Sequence, residues 1–367
     1  MSIPLLDLTL QYHEHQDEFD GVISNIFEHS SFIGGAPVKQ LEADIADFCS
    51  TKYCVACGNG TDALFLIMFA AGIGRGDEVI TTPWTFFATV EAIQHVGATP
   101  VFVDIEPGTY NIDATKIEAA ITPKTKAIMP VHIFGQCADM DAINAIAEKH
   151  DLLVFEDACQ AIGATYKGKR AGSLAKAAAF SFFPSKNLGC AGDGGCITTD
   201  DEDLAGKARL FAAHGSPVKY HHTVFGGNSR LDTLQAAILS VKLPYLDEHN
   251  SQRRSAAKYY DAAFSNTPEI ETPVERDYGE MVYHLYIIKS DKCEAIQAAL
   301  NDAGIGNAIY YPMSLHLQEA LTLLPDWQTP SLPVSEGCDN KCLGIPCFPG
   351  ITHEQQDEVI RTVLSVL

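Results

Sequence analysis

Lys186 sits in the stretch Phe180-Ser181-Phe182-Phe183-Pro184-Ser185-Lys186-Asn187-Leu188-Gly189, an amine between an aromatic run and a glycine-rich tail. A lysine amine partly stripped of water has a lowered pKa and attacks carbonyl carbons, forming a Schiff base. Asp157 closes the apolar run Leu152–Glu156. A carboxylate at the end of a buried strand is unusual unless it has a cationic partner. The bland alternatives are a solvated loop lysine and a plain buried salt bridge. A third feature is Cys57-Gly58-Asn59-Gly60-Thr61-Asp62-Ala63-Leu64, a glycine turn that opens a helix. Its free N–H groups suit a phosphate, with Thr61 or Asp62 as the expected cap. It is neither GxGxxG nor a Walker loop, so neither a dinucleotide nor ATP is expected. A fourth is Thr82-Pro83-Trp84-Thr85-Phe86-Phe87, whose aromatic faces suit stacking on a flat heterocycle. Phe87 is the foremost of these as a core residue.

These groups need elements that bring them together. Short apolar runs fall at residues 53–57, 78–82, 99–103, 127–131, 152–156, 179–183 and 195–199. Helical patterns separate most of them, as at 61–71, 87–96 and 139–149, and another follows at 203–213. Such alternation predicts an α/β fold with a mainly parallel sheet and helices on both faces. Asp157 and Lys186 then both stand past C-terminal strand ends, where open α/β sheets hold ligands. The pattern changes near Leu243-Pro244-Tyr245. A helix is expected over 253–264, a half-buried strand over 282–289, a helix over 293–303 and an amphipathic helix over 352–367. Residues 13–245 are thus expected to form a large ligand-binding domain and 246–367 a small C-terminal α+β domain. Residues 1–12 are a candidate addition to the small one.

A phosphate cradle, an aromatic platform, a buried carboxylate and an amine together suit pyridoxal 5′-phosphate (PLP). Its aldehyde takes the amine, and its protonated ring nitrogen faces the carboxylate and makes the ring an electron sink.

The chain resembles the DegT/DnrJ/EryC1/StrS family of sugar-nucleotide aminotransferases, which have the fold-type-I, aspartate aminotransferase-like architecture. The likeness spans nearly the whole chain. It rests on Gly60-Thr61-Asp62-Ala63-Leu64, Gly76-Asp77-Glu78-Val79-Ile80, Gly135-Gln136, Glu156-Asp157-Ala158-Cys159-Gln160, Ser181-Phe182-Phe183-Pro184-Ser185-Lys186, Gly192-Asp193-Gly194-Gly195 and Asn228-Ser229-Arg230-Leu231-Asp232. The resemblance implies PLP bound covalently to Lys186 as an internal aldimine, with Asp157 on the pyridinium nitrogen. It further implies Gln160 on the ring hydroxyl and Phe86 stacked on the ring. The phosphate would be held by the Gly60 and Thr61 amides, the Ser181 hydroxyl and Asn228 of a second subunit. It implies a homodimer with active sites at the interface. Some family members carry histidine at the lysine position and act as dehydratases; Lys186 favours amino transfer.

Glutamate is the amino donor implied, with Lys186 moving a proton as general base and acid. The stretch from Tyr220 to Leu239 is most similar to enzymes that aminate UDP-2-acetamido-2-deoxy-3-keto-glucuronate for cell-surface polysaccharide (O-antigen) synthesis. Arg230 is the candidate grip on a substrate carboxylate, against the alternative of a dimer-interface ion pair. Tyr310-Tyr311-Pro312 stands where the family often has His-Tyr-Pro. Tyr310 therefore touches the sugar site in this reading and leaves a UDP- or dTDP-4-keto-6-deoxy sugar open. Two other classes remain: a non-catalytic PLP-binding regulatory protein, and a PLP lyase or desulfurase, for which a mobile catalytic-loop cysteine is missing.

The chain has 367 residues, 46% of them hydrophobic, enough for a large core and two domains. A formal net charge of −22 argues against nucleic-acid binding. An anionic substrate would need a local positive nest, for which His214 through Lys219, His221, His222 and Arg230 are candidates. No apolar run is long enough to span a membrane. The N-terminal stretch lacks the pattern of a signal peptide, so a cytoplasmic protein is expected. The 11 cysteines read as reduced, buried thiols. Cys54-Val55-Ala56-Cys57 is a CxxC without a matched second pair, so no metal is expected.

Overall fold

The computed structural model of the chain describes residues 2–325 and 327–367. Seven strands form the main sheet: β1 Tyr53–Cys57, β2 Glu78–Thr81, β3 Thr99–Phe102, β4 Thr125–Ile128, β5 Leu153–Asp157, β6 Ala177–Ser181 and β7 Gly195–Thr199. Their order is β1-β7-β6-β5-β4-β2-β3. All pairs are parallel except those of β7, which runs antiparallel to β1 and to β6.

Both faces of this sheet are covered, so its strands are apolar at nearly every position. Successive side chains nevertheless go to different faces. Val55, Phe155, Ala177, Ala179 and Ile197 join one cluster with Leu64 and Ile67 of the helix Gly60–Ala70. Cys54, Val154, Ala178, Phe180 and Cys196 join another, with Leu41 and Ile45 of the helix Ala36–Cys49 and Ile143 of the helix Met140–His150. By the same alternation Asp157 and Ser181 share the face that carries the helix Gly60–Ala70, whereas Glu156 goes to the other.

A second sheet contains β8 Tyr286–Lys289, β9 Ala308–Ile309 and β10 Cys342–Ile345, in the order β8-β10-β9 and antiparallel throughout. Tyr260 and Phe264 of the helix Leu246–Phe264 pack on it with Leu300, Val359 and Val363. The same cluster takes in Trp84, Val131 and Phe134 from loops of the main sheet. Ile3 is buried and bridges Ile305 in parallel.

Two elements of the C-terminal part differ most from the sequence-based expectation. The helix expected from Arg253 starts at Leu246, because the helix Thr233–Lys242 and the 3-10 turn Leu243–Tyr245 lead into it without a break. Pro244 sits in the first turn of that 3-10 segment, where a missing N–H costs nothing. The strand expected over 282–289 is restricted to Tyr286–Lys289. The N–H groups of Val282 and His284 go instead to the carbonyls of Gly135 and Phe134, at 2.9 Å each. Among the described residues no helix is long and apolar enough to cross a membrane.

Candidate active site

Asp157 ends β5 and is buried. Its Oδ2 accepts the Thr89 hydroxyl at 2.7 Å, and its Oδ1 accepts the Cys159 N–H at 3.3 Å. Thr89 lies in the first turn of the helix Ala88–His95, with the Thr85 hydroxyl 3.0 Å away. The carboxylate is thus held by one hydroxyl and one amide rather than locked in an ion pair, which leaves it able to meet a further cation.

β6 ends at Ser181, two residues before the expected end, so Lys186 stands five residues beyond the strand. The intervening chain folds back on itself: Lys186 N donates to Phe183 O and Cys190 N to Phe182 O, both at 2.8 Å. A Cβ on Gly189 would lie 2.3 Å from the Pro184 carbonyl oxygen, so only glycine closes this turn. Lys242 is buried under it and donates from Nζ to Gly189 O at 2.5 Å. The Lys186 side chain retains partial exposure, yet its surroundings push the amine's pKa below the usual lysine value. Burial is the main cause, and the nearby Cys159 and Asp157 oppose it.

The turn after β1 brings a helix N-terminus to the same place. Asn59, not Thr61 or Asp62, caps it, accepting the Asp62 N–H on Oδ1 at 2.8 Å. Asn59 has the extended backbone that a cap requires, whereas Thr61 and Asp62 are already helical. Ala63 N is taken by Asn59 O. The amides of Gly60 and Thr61 meet no acceptor among the described residues. A Cβ on Gly60 would lie 2.7 Å from Ser181 Cβ and 3.0 Å from Cys159 Sγ, so the cradle, β6 and the loop after β5 converge here. Ser229 fastens the loop beyond: its hydroxyl donates to Asp62 Oδ2 at 2.6 Å and accepts the Gly58 N–H at 3.1 Å.

Gln160 Oε1 accepts the Phe134 N–H at 2.7 Å. A backbone donor fixes the amide's orientation, so Nε2 is turned to Tyr311, whose hydroxyl lies 3.4 Å away. Of the aromatic stretch, Trp84 is fully buried, Phe87 packs against Val90 and Phe102, and Phe86 is 61% exposed. Only Phe86 keeps a face available for stacking. Asn228 and Arg230 are exposed, and Arg230 meets no carboxylate among the described residues. Tyr310 lines a small cavity of about 50 Å³ with Ser185, Arg253 and His284.

The structure therefore gathers Gly60, Thr61, Asp157, Ser181 and Lys186, with Gln160 three residues from Asp157. Phe86, Asn228 and Arg230 lie on open surface. Sequence reasoning did not single out Thr89 or Tyr311. Thr89 had a faint signal in its i,i+4 spacing from Thr85 at a helix start. Tyr311 had none, since its contact with Gln160 joins positions 151 residues apart. The 11 cysteines are all free, and all but Cys159 are buried.

Residues 13–364 match the sequence model of the DegT/DnrJ/EryC1/StrS aminotransferase family. The chain is 49% identical over 365 residues to a protein of Geobacillus stearothermophilus named pleiotropic regulatory protein, covering 99% of this chain and 98% of that one. It is 46% identical over 347 residues to the UDP-2-acetamido-2-deoxy-3-oxo-D-glucuronate aminotransferase of Pseudomonas aeruginosa, covering 95% of each. Among solved structures, DesV of S. venezuelae in complex with a ketimine intermediate superposes with a TM-score of 0.96 at 38% identity, covering 99% of this chain and 98% of that one.

Proposed function

The chain belongs to the DegT/DnrJ/EryC1/StrS aminotransferase family, and we propose that it uses PLP to move an amino group from L-glutamate to UDP-2-acetamido-2-deoxy-3-oxo-glucuronate. Its fold is type I among PLP-dependent transferases. The observation that carries the reading is the convergence of a pKa-lowered amine, a buried carboxylate free of ion pairing and a helix N-terminus with open amides.

That donor set fits the cofactor. The Gly60 and Thr61 amides and the Ser181 hydroxyl would hold its phosphate, and the space beside Ser181 exists only because residue 60 has no side chain. Asn228 of a second subunit would complete the phosphate site. Phe86 would cover one ring face, and Gln160 Nε2 would reach the ring hydroxyl. When bound, PLP supplies an electron sink for the carbanion left when a proton leaves the donor's Cα. Asp157 would hold the proton on the ring nitrogen, and Lys186 would hold the cofactor covalently. Its amine, once freed, would take the proton from the donor's Cα as general base and give it up as general acid to the cofactor rather than back to the donor. Its depressed pKa leaves more of it as free base at neutral pH. Arg230 and Tyr310 would meet the sugar nucleotide, Arg230 through a carboxylate.

The exposed segment between the helices Glu202–Ala212 and Thr233–Lys242 supports a homodimer. Within it Phe225 is 97% exposed, Tyr220 85% and Val218 67%, an apolar surface suited to a second copy. A 3-amino sugar nucleotide would serve cell-surface polysaccharide, including O-antigen, and in this reading the enzyme would work in the cytoplasm.

The test is mass spectrometry of keto-sugar nucleotides incubated with the enzyme and glutamate, beginning with the 3-keto-glucuronate. A gain of nitrogen there supports the proposed substrate. If only UDP- or dTDP-4-keto-6-deoxy sugars gain nitrogen, that assignment is replaced by theirs. The name of the Geobacillus relative favours one further reading, a regulatory protein that binds PLP without turnover. Such a protein would release no 2-oxoglutarate when glutamate is added alone. The aminotransferase releases one equivalent per cofactor.

A further inference from the structure

Outside that cleft, the break between the helices Thr9–Glu14 and Gln16–Glu28 falls on His15, whose φ of −123° and ψ of 29° leave the helical region. The break sets the His15 ring against Tyr245, stacked at 3.8 Å between centroids and 17° between planes. One turn beyond Tyr245, on the helix Leu246–Phe264, is the buried His249. A ligand atom from each of Glu14, His15 and His249 lies within 4.8 Å of the other two.

The carboxylates around the His15 ring set it up as a ligand. Its Nδ1 stands 3.3 Å from Glu18 Oε1. The closer carboxylate favours the ring proton on Nδ1, which puts the lone pair on Nε2. That Nε2 is buried and has no hydrogen-bond partner. Glu14 Oε2 is 3.9 Å from it. Glu18 Oε1 also accepts the Tyr245 hydroxyl at 2.9 Å, so the tyrosine that stacks on the ring also fixes its orienting carboxylate. Beside the second imidazole, Gln11 Nε2 lies 3.4 Å from His249 Nδ1.

We propose that His15, His249 and Glu14 form a divalent transition-metal site that fastens the N-terminal helices to the helix Leu246–Phe264. Two imidazoles and a carboxylate are the ligand set of Zn²⁺ and its neighbours, not of Ca²⁺ or Mg²⁺, which take oxygen donors. The Glu14 side chain is 60% exposed and is free to swing inward. A cavity of about 270 Å³, lined by Leu10, Gln11, Glu14, His249 and Gln252, opens onto two of the ligands and leaves room for water as a fourth. The absence of a metal expected from sequence rested on cysteine spacing alone. This set joins residues 14–15 to residue 249, which no short motif records.

The test is titration of the PLP-loaded full-length protein with Co²⁺, read by visible absorption, followed by displacement with Zn²⁺. One equivalent per chain with the intense bands of a four- or five-coordinate site is expected. His15→Gln and Glu14→Gln should abolish those bands, and Glu18→Ala should weaken binding roughly 10–100-fold. Should His15→Gln lose its fold by circular dichroism, the exposed Glu14→Gln decides. Absence of the bands in the parent protein overturns the proposal. So does binding that survives unchanged in Glu14→Gln.

Discussion

Thr89 Oγ1 donates to Asp157 Oδ2 across 2.7 Å, and both residues are shut off from bulk water. A hydroxyl can hold a carboxylate in place without neutralising it, so in the proposed reading the negative charge stays available for the ring nitrogen of PLP. A hydrogen bond to a charged group contributes about 1.5–3 kcal/mol, equivalent to roughly 10–100-fold in rate. Thr89→Val keeps the shape and removes the donor. It is expected to slow release of 2-oxoglutarate from glutamate by that factor while the fold is retained. Asp157→Asn should be slower still, because it removes the charge itself. Single-turnover assays on both variants provide the check. Equal rates for Thr89→Val and the parent would remove Thr89 from the site.

Two glycines should respond oppositely to alanine. At Gly60 a Cβ meets Ser181 Cβ at 2.7 Å and Cys159 Sγ at 3.0 Å, and both neighbours are fixed by β6 and by the turn after β5. Gly60→Ala is expected to cost about 1–3 kcal/mol through overpacking and to weaken PLP binding at least about tenfold. Gly206 lies within the helix Glu202–Ala212, and a Cβ there meets nothing within 4 Å. Gly206→Ala should stabilise by about 0.5–1 kcal/mol and leave cofactor binding unchanged. Thermal denaturation and equilibrium dialysis distinguish the two.

Lys186 is the attachment point in the proposed reading, so borohydride reduction of the PLP-loaded protein should leave a pyridoxyl label on the peptide that contains it. Lys186→Ala should fold, bind PLP without covalent capture and carry no label. Peptide mapping by mass spectrometry settles this directly. A label on Lys242, the buried lysine beneath the same loop, would reassign the role.

Much of the main sheet was readable because its strands are short apolar runs separated by helical patterns; β1 and β7 have the expected limits. The second sheet was less readable. Val282 and His284 look like strand residues but spend their N–H groups on the loop around Phe134. That loop holds φ of 55° at Phe134 and 101° at Gly135, a bend no periodicity announces. Glu156 and Asp157 illustrate the same limit inside the site. As sequence they are one acidic pair. Strand alternation sends Asp157 to the cleft and Glu156 behind the sheet, where it accepts the N–H groups of Gly172, Leu174 and Ala175 and pairs with His132. Because the Ala138 N–H points at His132 Nδ1, the ring's proton lies on Nε2 and goes to Glu156. Removing that buried acceptor by Glu156→Leu should cost about 3–5 kcal/mol. Urea denaturation measures it.

Lys242 gives a prediction with a sign. Its amine is buried beneath the loop that carries Lys186, and burial pushes its pKa down to about 8, with Cys190 opposing. In the unfolded chain it returns to about 10.4. Below pH 8 the lysine is charged in both states, and the folded protein bears the full desolvation cost. Between pH 8 and about 10.4 the unfolded chain holds the proton and the folded one has released it. The unfolded state therefore binds more protons, and stability attributable to this residue rises with pH across that window. The gap of about 2.4 pH units corresponds to roughly 3 kcal/mol. Lys242→Met has no such group. Urea denaturation of the two proteins at pH 7.5, 9 and 10.5 should show the parent gaining on the variant by about that amount, most of it above pH 8. A constant difference across the series would mean that the amine titrates alike in both states and that its burial carries no electrostatic cost.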